Sequence, residues 1–470
     1  MHLFPARASN SARGSRWIRA AAAVGDRAAW FSDLHVDSAS ALVVFLQQAA
    51  AADDGGDDDD DDDDIILRRI TAGKLPPKIS PLIDLPLPII GPLLNFIMTL
   101  RNFKKIEQTE QFGEVMRIPF LFSTAITVVS LEGLKIGLSC KSQGKKVLGT
   151  QQAESINALW GRKSLSNISG SEHSRVKKLL HPTVSVKIVA NYVSRMESAS
   201  EDWLRDVVEP ALGKPTKMYE PVRRFMMEMP LRLVLGLGDA APEVGIIADR
   251  RAQGCDNLSD TLSEMIKQGQ LTDEEMEDQM VTIMLAGYET TAAVMCVAMH
   301  VLPMHPEVLE KLRKEQEGID GPVDWAKFES MTYMLNFVKE CLRHHGPVLS
   351  FFRTVTDAFE VGGYKVPQGY IYQYHLAAVQ RNSVEQPEKI IPERYEDPSN
   401  PLNQPFGFTP FGGGEYLCLG ERFAKMEICV FLRALVMRYN WTHAAEDPRM
   451  MYAPLFLHFT DDLPLIFTRL

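Results

Sequence analysis

The sequence has no long apolar run of the kind that spans a bilayer. The best candidate that we find, residues 39–52, is short and is interrupted by Gln47 and Gln48. A membrane-spanning helix needs about 20 consecutive, mostly apolar residues. We therefore expect no transmembrane anchor in this chain.

Cysteine is scarce and scattered. No two cysteines have the C-x-x-C spacing that is typical of zinc sites and dithiol redox motifs. So few thiols in a chain of 470 residues indicate a reducing compartment. The six are Cys140, Cys255, Cys296, Cys341, Cys418 and Cys429. Five of them are expected to be small buried apolar side chains, whereas Cys418 lies in a different setting.

An excess of positive charge is also missing. The formal net charge is −11, but Asp53, Asp54 and the run 57–64 supply ten of the negative charges, and the remainder of the chain is close to neutral at −1. Nucleic-acid binding requires a basic face. We therefore expect no nucleic-acid partner.

The N-terminal 74 residues do not resemble a packed domain. The first 30 are rich in Ala, Ser and Arg and contain one acidic residue, Asp26. This composition is typical of an organelle transit peptide, and the alternative is a disordered start. The aspartate run predicts a solvated linker. We expect a disordered segment over 1–74 and one folded domain over 75–470, in a plastid or mitochondrion if the transit peptide is real, otherwise at the endoplasmic reticulum surface or in the cytoplasm.

Hydrophobic periodicity predicts a mainly α-helical fold with a small β region. Residues 113–130 have the pattern of two paired strands, and helical periodicity dominates 131–235. Other predicted elements are helices over 307–317, 324–344 and 422–439 and a β-like region over 359–379 with a turn at Gly362 and Gly363.

The longest predicted helix covers 272–304. Thr272 and Glu275 have the spacing of a capping box at its start. The apolar residues that follow are nearly continuous, which indicates a helix that is buried on most faces.

The most informative segment is the loop from Phe411 to Gly420, in which three glycines precede Cys418 and a predicted helix follows. Glycines allow positive φ and a close approach of the backbone to a flat ligand. A cysteine at a helix N-terminus has its thiolate stabilised by the helix dipole and by free N–H groups. From this segment alone, a tight turn with a buried thiol remains the alternative.

The loop resembles the signature F-x-x-G-x-R-x-C-x-G of the cytochrome P450 family, matched by Phe411, Gly414, Cys418 and Gly420. Tyr416 stands where the family usually has Arg. The resemblance implies a haem whose iron is axially ligated by the Cys418 thiolate, with Gly412 as part of the cofactor-binding loop. A thiolate ligand favours O–O cleavage at haem iron.

Two further segments resemble family motifs in the expected order. Glu340 and Arg343 match E-x-x-R, and Arg394 lies in the motif that follows. A lone pair at this spacing is usually a surface contact of a few tenths of a kcal/mol. In the family the three residues form a buried network that supports the cysteine loop, and we expect the same network here.

The middle of the long helix resembles the family's oxygen-activation motif, with Gly287, Glu289 and Thr290 in matching positions. The resemblance implies that Gly287 lets the helix pass close to the porphyrin, and that Thr290 and Glu289 deliver protons as catalytic residues. The alternative is an ordinary helical Glu-Thr pair.

By the same resemblance, His173, Lys177 and Arg353 occupy positions that contact the haem propionates. The alternative for His173 and Lys177 is a solvated surface position. Residues 161–180, the glycine loop and 423–432 resemble the branch of retinoic-acid hydroxylases and their cyanobacterial relatives.

The implied activity is insertion of one oxygen atom from O2 into a lipophilic small molecule, such as a retinoid, sterol or terpenoid. Two electrons would come from an NADPH-dependent reductase or a ferredoxin, and we expect peripheral membrane contact. Arg422 and Lys425 are candidates for docking an acidic partner, and a solvated helix face is the equal alternative.

The region 238–270 departs from the family because it is too short for two long helices that roof the pocket. We therefore expect that part of the distal lid is missing and that the distal side is open and wet. Two other functions stay open: a haem-thiolate isomerase or dehydratase acting on a lipid peroxide, and a catalytically impaired haem-binding relative.

Overall fold

The structure is a computed structural model. It describes residues 113–120, 123–150, 160–236, 246–255, 260–445, 450–453 and 456–470. The expected transit peptide, the aspartate linker and the proline-rich start of the domain lie outside these residues.

The largest sheet of the described residues has five strands, in the order β1-β2-β10-β7-β5. The strand pair expected over 113–130 is confirmed, since β1 and β2 pair antiparallel with Val115 opposite Val128. A parallel pairing joins β2 to β10, which follows it by more than 240 residues. The described strands are β1 (Val115–Phe120), β2 (Ser123–Val128), β3 (Lys141–Ser142), β4 (Lys145–Lys146), β5 (Leu148–Gly149), β6 (Thr216–Lys217), β7 (Ser350–Val355), β8 (Phe359–Val361), β9 (Tyr364–Val366), β10 (Ile371–His375), β11 (Tyr439–His443), β12 (Met450–Ala453), β13 (Phe456–Phe459) and β14 (Pro464–Arg469).

Helices contain far more of the described residues than strands do, as the periodicity predicts. They are α1 (Leu131–Ser139), α2 (Gly170–Leu180), α3 (Val186–Ala190), α4 (Val193–Trp203), α5 (Tyr219–Met229), α6 (Ile246–Gln253), α7 (Thr261–Gln268), α8 (Asp273–Val301), α9 (Pro306–Glu317), α10 (Trp325–Ser330), α11 (Thr332–His344), α12 (Leu376–Asn382) and α13 (Glu421–Val436). The largest apolar core packs α4, α5, α11 and α13 around the C-terminal half of α8.

The start of α8 is fixed by the predicted capping box. Thr272 Oγ1 accepts a hydrogen bond from the Glu275 N–H at 3.2 Å, and the Glu275 carboxylate accepts one from the Thr272 N–H at 2.9 Å. Three acidic residues in the first turn also suit the positive end of the helix dipole. Local sequence therefore determines where the central helix begins.

Two predicted elements differ from the structure. The helix expected over 324–344 is divided at Met331, whose ψ of 60° is not helical. The β-like region expected to continue to 379 ends at His375, because the His375 ring accepts a hydrogen bond from the Ala378 N–H at 3.1 Å and so caps α12.

The prediction that no stretch is long and apolar enough to span a bilayer was wrong, because one helix meets that requirement by its length and composition. Among the described residues, Asp273–Met304 contains an 18-residue window with mean hydropathy 1.5. That window is 56% buried inside the protein, as in the core helix of a soluble protein, so it is weak evidence for a membrane span.

The short region before α8 contributes two helices of eight residues each, α6 and α7. Residues 237–245 and 256–259 are outside the described part. A buried ion pair joins the two helices, with Arg250 Nη1 2.6 Å from Asp260 Oδ2. Both helices pack in an apolar cluster with α2 and the N-terminal half of α8. Neither has the length of a lid helix, in line with the sequence, and an open distal side stays a prediction.

Candidate functional site

The cysteine loop is held as a closed turn. The Cys418 N–H donates to the Phe411 carbonyl at 2.9 Å, across the glycines. Gly412 and Gly414 have φ of 75° and 60°, a conformation that side chains other than glycine rarely adopt. A Cβ at Gly414 would also lie 2.9 Å from the Leu138 carbonyl oxygen of α1. The glycines therefore let the loop turn and pack against α1.

Cys418 is exposed, whereas the other five cysteines are buried, as the sequence predicts. It lies just before α13, whose N-cap is Gly420. Desolvation by the surrounding protein raises the pKa of the Cys418 thiol, and the backbone N–H groups of Gly420 and Glu421 oppose that rise. The side chain is thus accessible to a ligand and close to the helix N-terminus.

Helix α2 contacts this loop through two side chains one turn apart, His173 and Lys177. The His173 ring lies against Tyr416, with ring centroids 4.7 Å apart. Burial lowers the pKa of His173, and the charge of Lys177 lowers it further. Lys177 Nζ donates to the carbonyls of Glu415 at 2.6 Å and Leu417 at 2.9 Å. Lys177 is thereby bonded to the loop backbone, a contact that the sequence did not indicate.

Arg353 lies on β7 beside the same loop. Its guanidinium lies 4.4 Å from the centre of the Tyr416 ring and 5.7 Å from that of Tyr374, in the geometry of a cation–π contact. Tyr416, which replaces the usual family Arg, therefore forms a platform for Arg353.

Around Tyr416, three buried polar atoms have no hydrogen-bond partner among the described protein atoms. They are Arg353 Nε, His173 Nδ1 and Tyr416 Oη itself. Buried polar atoms without a partner are rare and costly. The carboxylate of His173's neighbour Glu415 is 3.8 Å from Nδ1, too far for a hydrogen bond. The Arg353 cation and the two polar groups of His173 and Tyr416, close together around the Tyr416 ring, suit an anionic group such as a haem propionate. The residues present therefore fit a haem.

The expected network of Glu340, Arg343 and Arg394 is assembled. Arg343 donates to both carboxylate oxygens of Glu340, at 2.7 and 2.9 Å, and both side chains are fully buried. Arg394 Nε is 3.6 Å from the same carboxylate. The other hydrogen bonds of the network reach the backbone of Gln386, Pro387, Lys389 and Ile391. The network thus fixes 386–391, and its bonds do not reach the cysteine loop directly.

The middle of α8 is less covered than its C-terminal half. Ala286 is exposed and Thr290 is half-buried, whereas 291–301 is buried throughout. Thr290 Oγ1 donates to the Ala286 carbonyl at 2.6 Å. A Cβ at Gly287 would meet Pro230 Cγ at 3.5 Å, an ordinary contact. No described protein atom requires glycine here, and the reason given by the resemblance, a close porphyrin, stays a prediction.

The Glu289 carboxylate and the Thr290 hydroxyl bond to different partners. The carboxylate faces α5, where Arg223 donates two hydrogen bonds to Oε2, at 3.2 and 2.9 Å. Tyr219 Oη donates to Oε1 at 3.4 Å. Glu289 is buried and ion-paired with Arg223 on α5, whereas the Thr290 hydroxyl bonds to its own helix, so the side chains of the two residues expected to deliver protons have no partner in common.

Comparison with known proteins agrees with this geometry. The family model described as cytochrome P450 matches residues 81–240 and 247–462. The chain belongs to the cytochrome P450 family. The cytochrome P450 fold, a haem cofactor held through a cysteine thiolate and monooxygenase chemistry on lipophilic substrates are therefore confirmed.

Relatives of this cytochrome P450 support the branch expected from the sequence. Cytochrome P450 26A1 of Xenopus laevis is 25% identical over 446 residues, covering 81% of this chain and 88% of that protein. Beta-amyrin 16-beta-monooxygenase of Platycodon grandiflorus is 24% identical, covering 78% and 89%. A solved structure of cyanobacterial CYP120A1 with bound retinoic acid has a TM-score of 0.73 at 21% identity, and it covers 85% of this chain and 100% of that one.

Two functional contacts escaped the sequence analysis. Arg223 could have been found, because it lies within the apolar pattern of α5 that Val222, Phe225 and Met226 define, and a charge there needs a partner. The bond of Lys177 to the loop carbonyls could not be found from the sequence, because every residue has a backbone carbonyl and no particular residue type marks the acceptor.

Proposed function

We propose that this cytochrome P450 ligates haem iron through Cys418 and oxidises a retinoid, sterol or terpenoid-like substrate. The accessible Cys418 thiol beside the three unpartnered polar atoms of Arg353, His173 and Tyr416 carries the proposal. Support for the substrate class comes from the names of relatives, one bound to retinoic acid and one acting on beta-amyrin.

The chain's own residues would divide the work. Arg353, with His173 and Tyr416, would hold the propionates, and the glycine loop, including Gly412, Gly414 and Gly420, would support the cofactor from the proximal side. When bound through a thiolate, haem supplies the activation of dioxygen. Phe411 lies partly buried against the main core and borders this loop.

Proton delivery would fall to Thr290 and Glu289. The Thr290 hydroxyl lies on the open side of α8, where it reaches its own helix carbonyl and can turn towards a ligand. Glu289 can reach a ligand on that side of α8 only after its hydrogen bonds to Arg223 open, because they hold the carboxylate against α5. Opening of the ion pair between Arg223 and Glu289 would therefore control the supply of protons.

Electrons would come from an NADPH-dependent reductase or a ferredoxin, and O2 is the co-substrate. Arg422 and Lys425 lie at the start of α13, next to Cys418. Lys425 Nζ is 2.6 Å from Glu421, so its charge is partly engaged on its own helix.

The first test is the spectrum of the reduced protein under carbon monoxide. We expect the red-shifted Soret band of thiolate ligation in the parent and in Cys429→Ala, but not in Cys418→Ala. Cys429 is the control because it is a buried cysteine on α13, the helix that Cys418 precedes. A normal band in Cys418→Ala would show that another group ligates the iron.

The second test separates the candidate activities. Retinoic acid and beta-amyrin are titrated into the haem protein while its spin state is followed, and turnover is then measured with NADPH plus reductase and with a lipid hydroperoxide. Turnover with the hydroperoxide alone would favour the isomerase or dehydratase, and the absence of both would favour the impaired relative. The impaired relative is included among the candidates because α8 is exposed at Ala286.

A further inference from the structure

Tyr219, the first residue of α5, connects the Glu289 carboxylate to the hairpin of β12 and β13. The Tyr219 hydroxyl lies 3.4 Å from Glu289 Oε1 and 2.9 Å from His458 Nδ1, on β13. It also lies 3.3 Å from the Leu457 carbonyl oxygen. A phenol hydroxyl is both a donor and an acceptor. Tyr219 can therefore accept a hydrogen bond from His458 and donate one to Glu289 at the same time.

The three side chains differ in their access to solvent. The His458 side chain is 31% exposed, whereas that of Glu289 is 9% exposed. Tyr219, between them, is buried. An imidazole exchanges protons readily near neutral pH, so His458 can take up a proton from water. Glu289 is buried against Tyr219 and Arg223 and receives protons less directly.

Tyr219 stays protonated in this setting. Burial raises the pKa of Tyr219, and the negative charge of Glu289 raises it further, while Arg223 opposes the rise. A hydroxyl that does not ionise can still pass a proton, by accepting one on its oxygen while it gives its own to the next acceptor. When the His458 ring is protonated, Nδ1 is a donor to Tyr219 Oη. The Tyr219 proton can then bond to Glu289 Oε1.

We propose that His458 and Tyr219 form the route by which Glu289 is protonated from solvent. The inference deepens, and rests on, the proposed function of Glu289 in proton delivery. The Nδ1–H bond of protonated His458 breaks and its proton binds Tyr219 Oη, while the Tyr219 O–H proton moves to Glu289 Oε1. His458 and Glu289 become neutral, Tyr219 is unchanged, and no electron moves. His458 then takes up the next proton from water.

This route also gives a cause for the opening of the ion pair between Arg223 and Glu289. Arg223 is bonded to Oε2 of the carboxylate, whereas the proton arrives at Oε1. A neutral carboxyl binds a guanidinium less strongly than a carboxylate does, because the hydrogen bonds lose part of their charge assistance. Arrival of the proton therefore releases Glu289 in the state in which it can donate.

The test compares Tyr219→Phe, which keeps the ring and removes the hydroxyl, with His458→Gln, which stays polar but cannot carry a proton. Tyr439→Phe is the control for the first variant, because Tyr439 is also a buried tyrosine that donates to a carboxylate, that of Glu209. His305→Gln is the control for the second, because the His305 side chain is 25% exposed and also faces a carboxylate.

Each haem-loaded variant is supplied with NADPH, reductase and whichever of retinoic acid and beta-amyrin is turned over. The product and the hydrogen peroxide formed per NADPH are measured, together with the solvent isotope effect on product formation. Three readouts do not depend on turnover. They are the thiolate Soret band under carbon monoxide, the midpoint of the substrate-induced spin-state change, and the nitrogen NMR spectrum of labelled histidine in the diamagnetic carbon monoxide complex.

We expect Tyr219→Phe and His458→Gln to form several-fold less product per NADPH, more hydrogen peroxide and a larger solvent isotope effect. Their Soret band and spin-state midpoint should equal those of the parent. Tyr219→Phe should also shift the Nδ1 resonance of His458, because a hydrogen-bond partner is lost. Tyr439→Phe and His305→Gln should resemble the parent in every measurement.

The parent's product yield in Tyr219→Phe or in His458→Gln would overturn the proposal, because protons would then reach Glu289 by another route. An equal loss of yield in the two controls would also overturn it. So would a loss that is accompanied by a changed Soret band or spin-state midpoint, because the side chains would then act by supporting the fold. Should Tyr219→Phe fail to fold, His458→Gln decides the question.

Failure of the proposed function has a different pattern. Glu289→Gln and Thr290→Ala would then keep the parent's product yield, or neither substrate would be turned over with NADPH and reductase. If Glu289→Gln and Thr290→Ala lose yield while Tyr219→Phe and His458→Gln do not, the route through His458 is overturned and proton delivery by Glu289 and Thr290 stands.

Discussion

Two acid–arginine pairs at the same helical spacing allow a direct measurement of how much burial changes the contribution of such a pair to the stability of the protein. Glu340 and Arg343 are three residues apart on α11, and their side chains are 0% exposed. Asp202 and Arg205 have the same spacing, and their side chains are 56% and 64% exposed. We expect Arg343→Met to destabilise the protein strongly and Arg205→Met to leave its stability unchanged within error.

The magnitude for Arg343 follows from its contacts. Its guanidinium makes two hydrogen bonds to Glu340 and two to the carbonyls of Pro387 and Lys389. After its removal, the Glu340 carboxylate keeps the Ile391 N–H at 2.9 Å and Arg394 at 3.6 Å. Removal of one partner from a buried pair costs about 3–5 kcal/mol, because the other charge stays buried. The double variant Glu340→Met with Arg343→Met should cost less than Arg343→Met alone, because it removes the buried carboxylate that Arg343→Met leaves without its bidentate partner. Arg394, 3.6 Å from that carboxylate, keeps its hydrogen bond to the Gln386 carbonyl.

The haem-loaded proteins are unfolded in urea while circular dichroism and the Soret band are followed. The difference in unfolding free energy is the shift in the urea midpoint multiplied by the slope of free energy against urea concentration, taken as common to the variants. Arg343→Lys should also be destabilised, because an ammonium cannot make the bidentate contact. A loss below about 1 kcal/mol in Arg343→Met, the value of an exposed pair, would refute the reasoning. So would a double variant that is less stable than the single one.

Three other changes have defined outcomes. Thr290→Ala should retain haem but release more hydrogen peroxide per NADPH consumed, and an unchanged product yield would remove Thr290 from proton delivery. Tyr416→Phe should lose haem to a scavenger about tenfold faster, because it removes the buried unpartnered hydroxyl. Tenfold corresponds to one hydrogen bond of about 1.4 kcal/mol. An equal rate would show that this hydroxyl does not contact the cofactor. Burial, and then Arg343 and Arg381, lower the pKa of His344 from 6.5 to about 4. The unfolded chain therefore binds this proton more readily, and the stability that neutral His344 contributes is present above pH 6.5 and lost as the pH falls towards 4. His344→Asn should lose less stability than the parent across that range, and identical pH profiles would contradict the assignment.

Local sequence determined the features that depend on near neighbours. The capping box of Thr272 and Glu275 and the pairing of Glu340 with Arg343 join residues three apart, so spacing alone places them together. Residue type permits the positive φ of Gly412 and Gly414. The glycine loop with its cysteine, the E-x-x-R pair, the Arg394 motif and the motif in the middle of α8 together pointed to the family that the comparisons confirm.

Tertiary structure decided which distant partners these residues meet. Arg223 reaches Glu289 across 66 residues, and Lys177 reaches Leu417 across 240. Periodicity shows which face of a helix is buried, but it does not show which element covers that face. A buried charge needs a partner, and packing of α5 on α8 and of α2 on the cysteine loop selects it. For this reason the sequence alone predicted the chemistry of Cys418 and Glu289, whereas the bonds of Glu289 to Arg223 and of Lys177 to the loop became visible only in the folded protein.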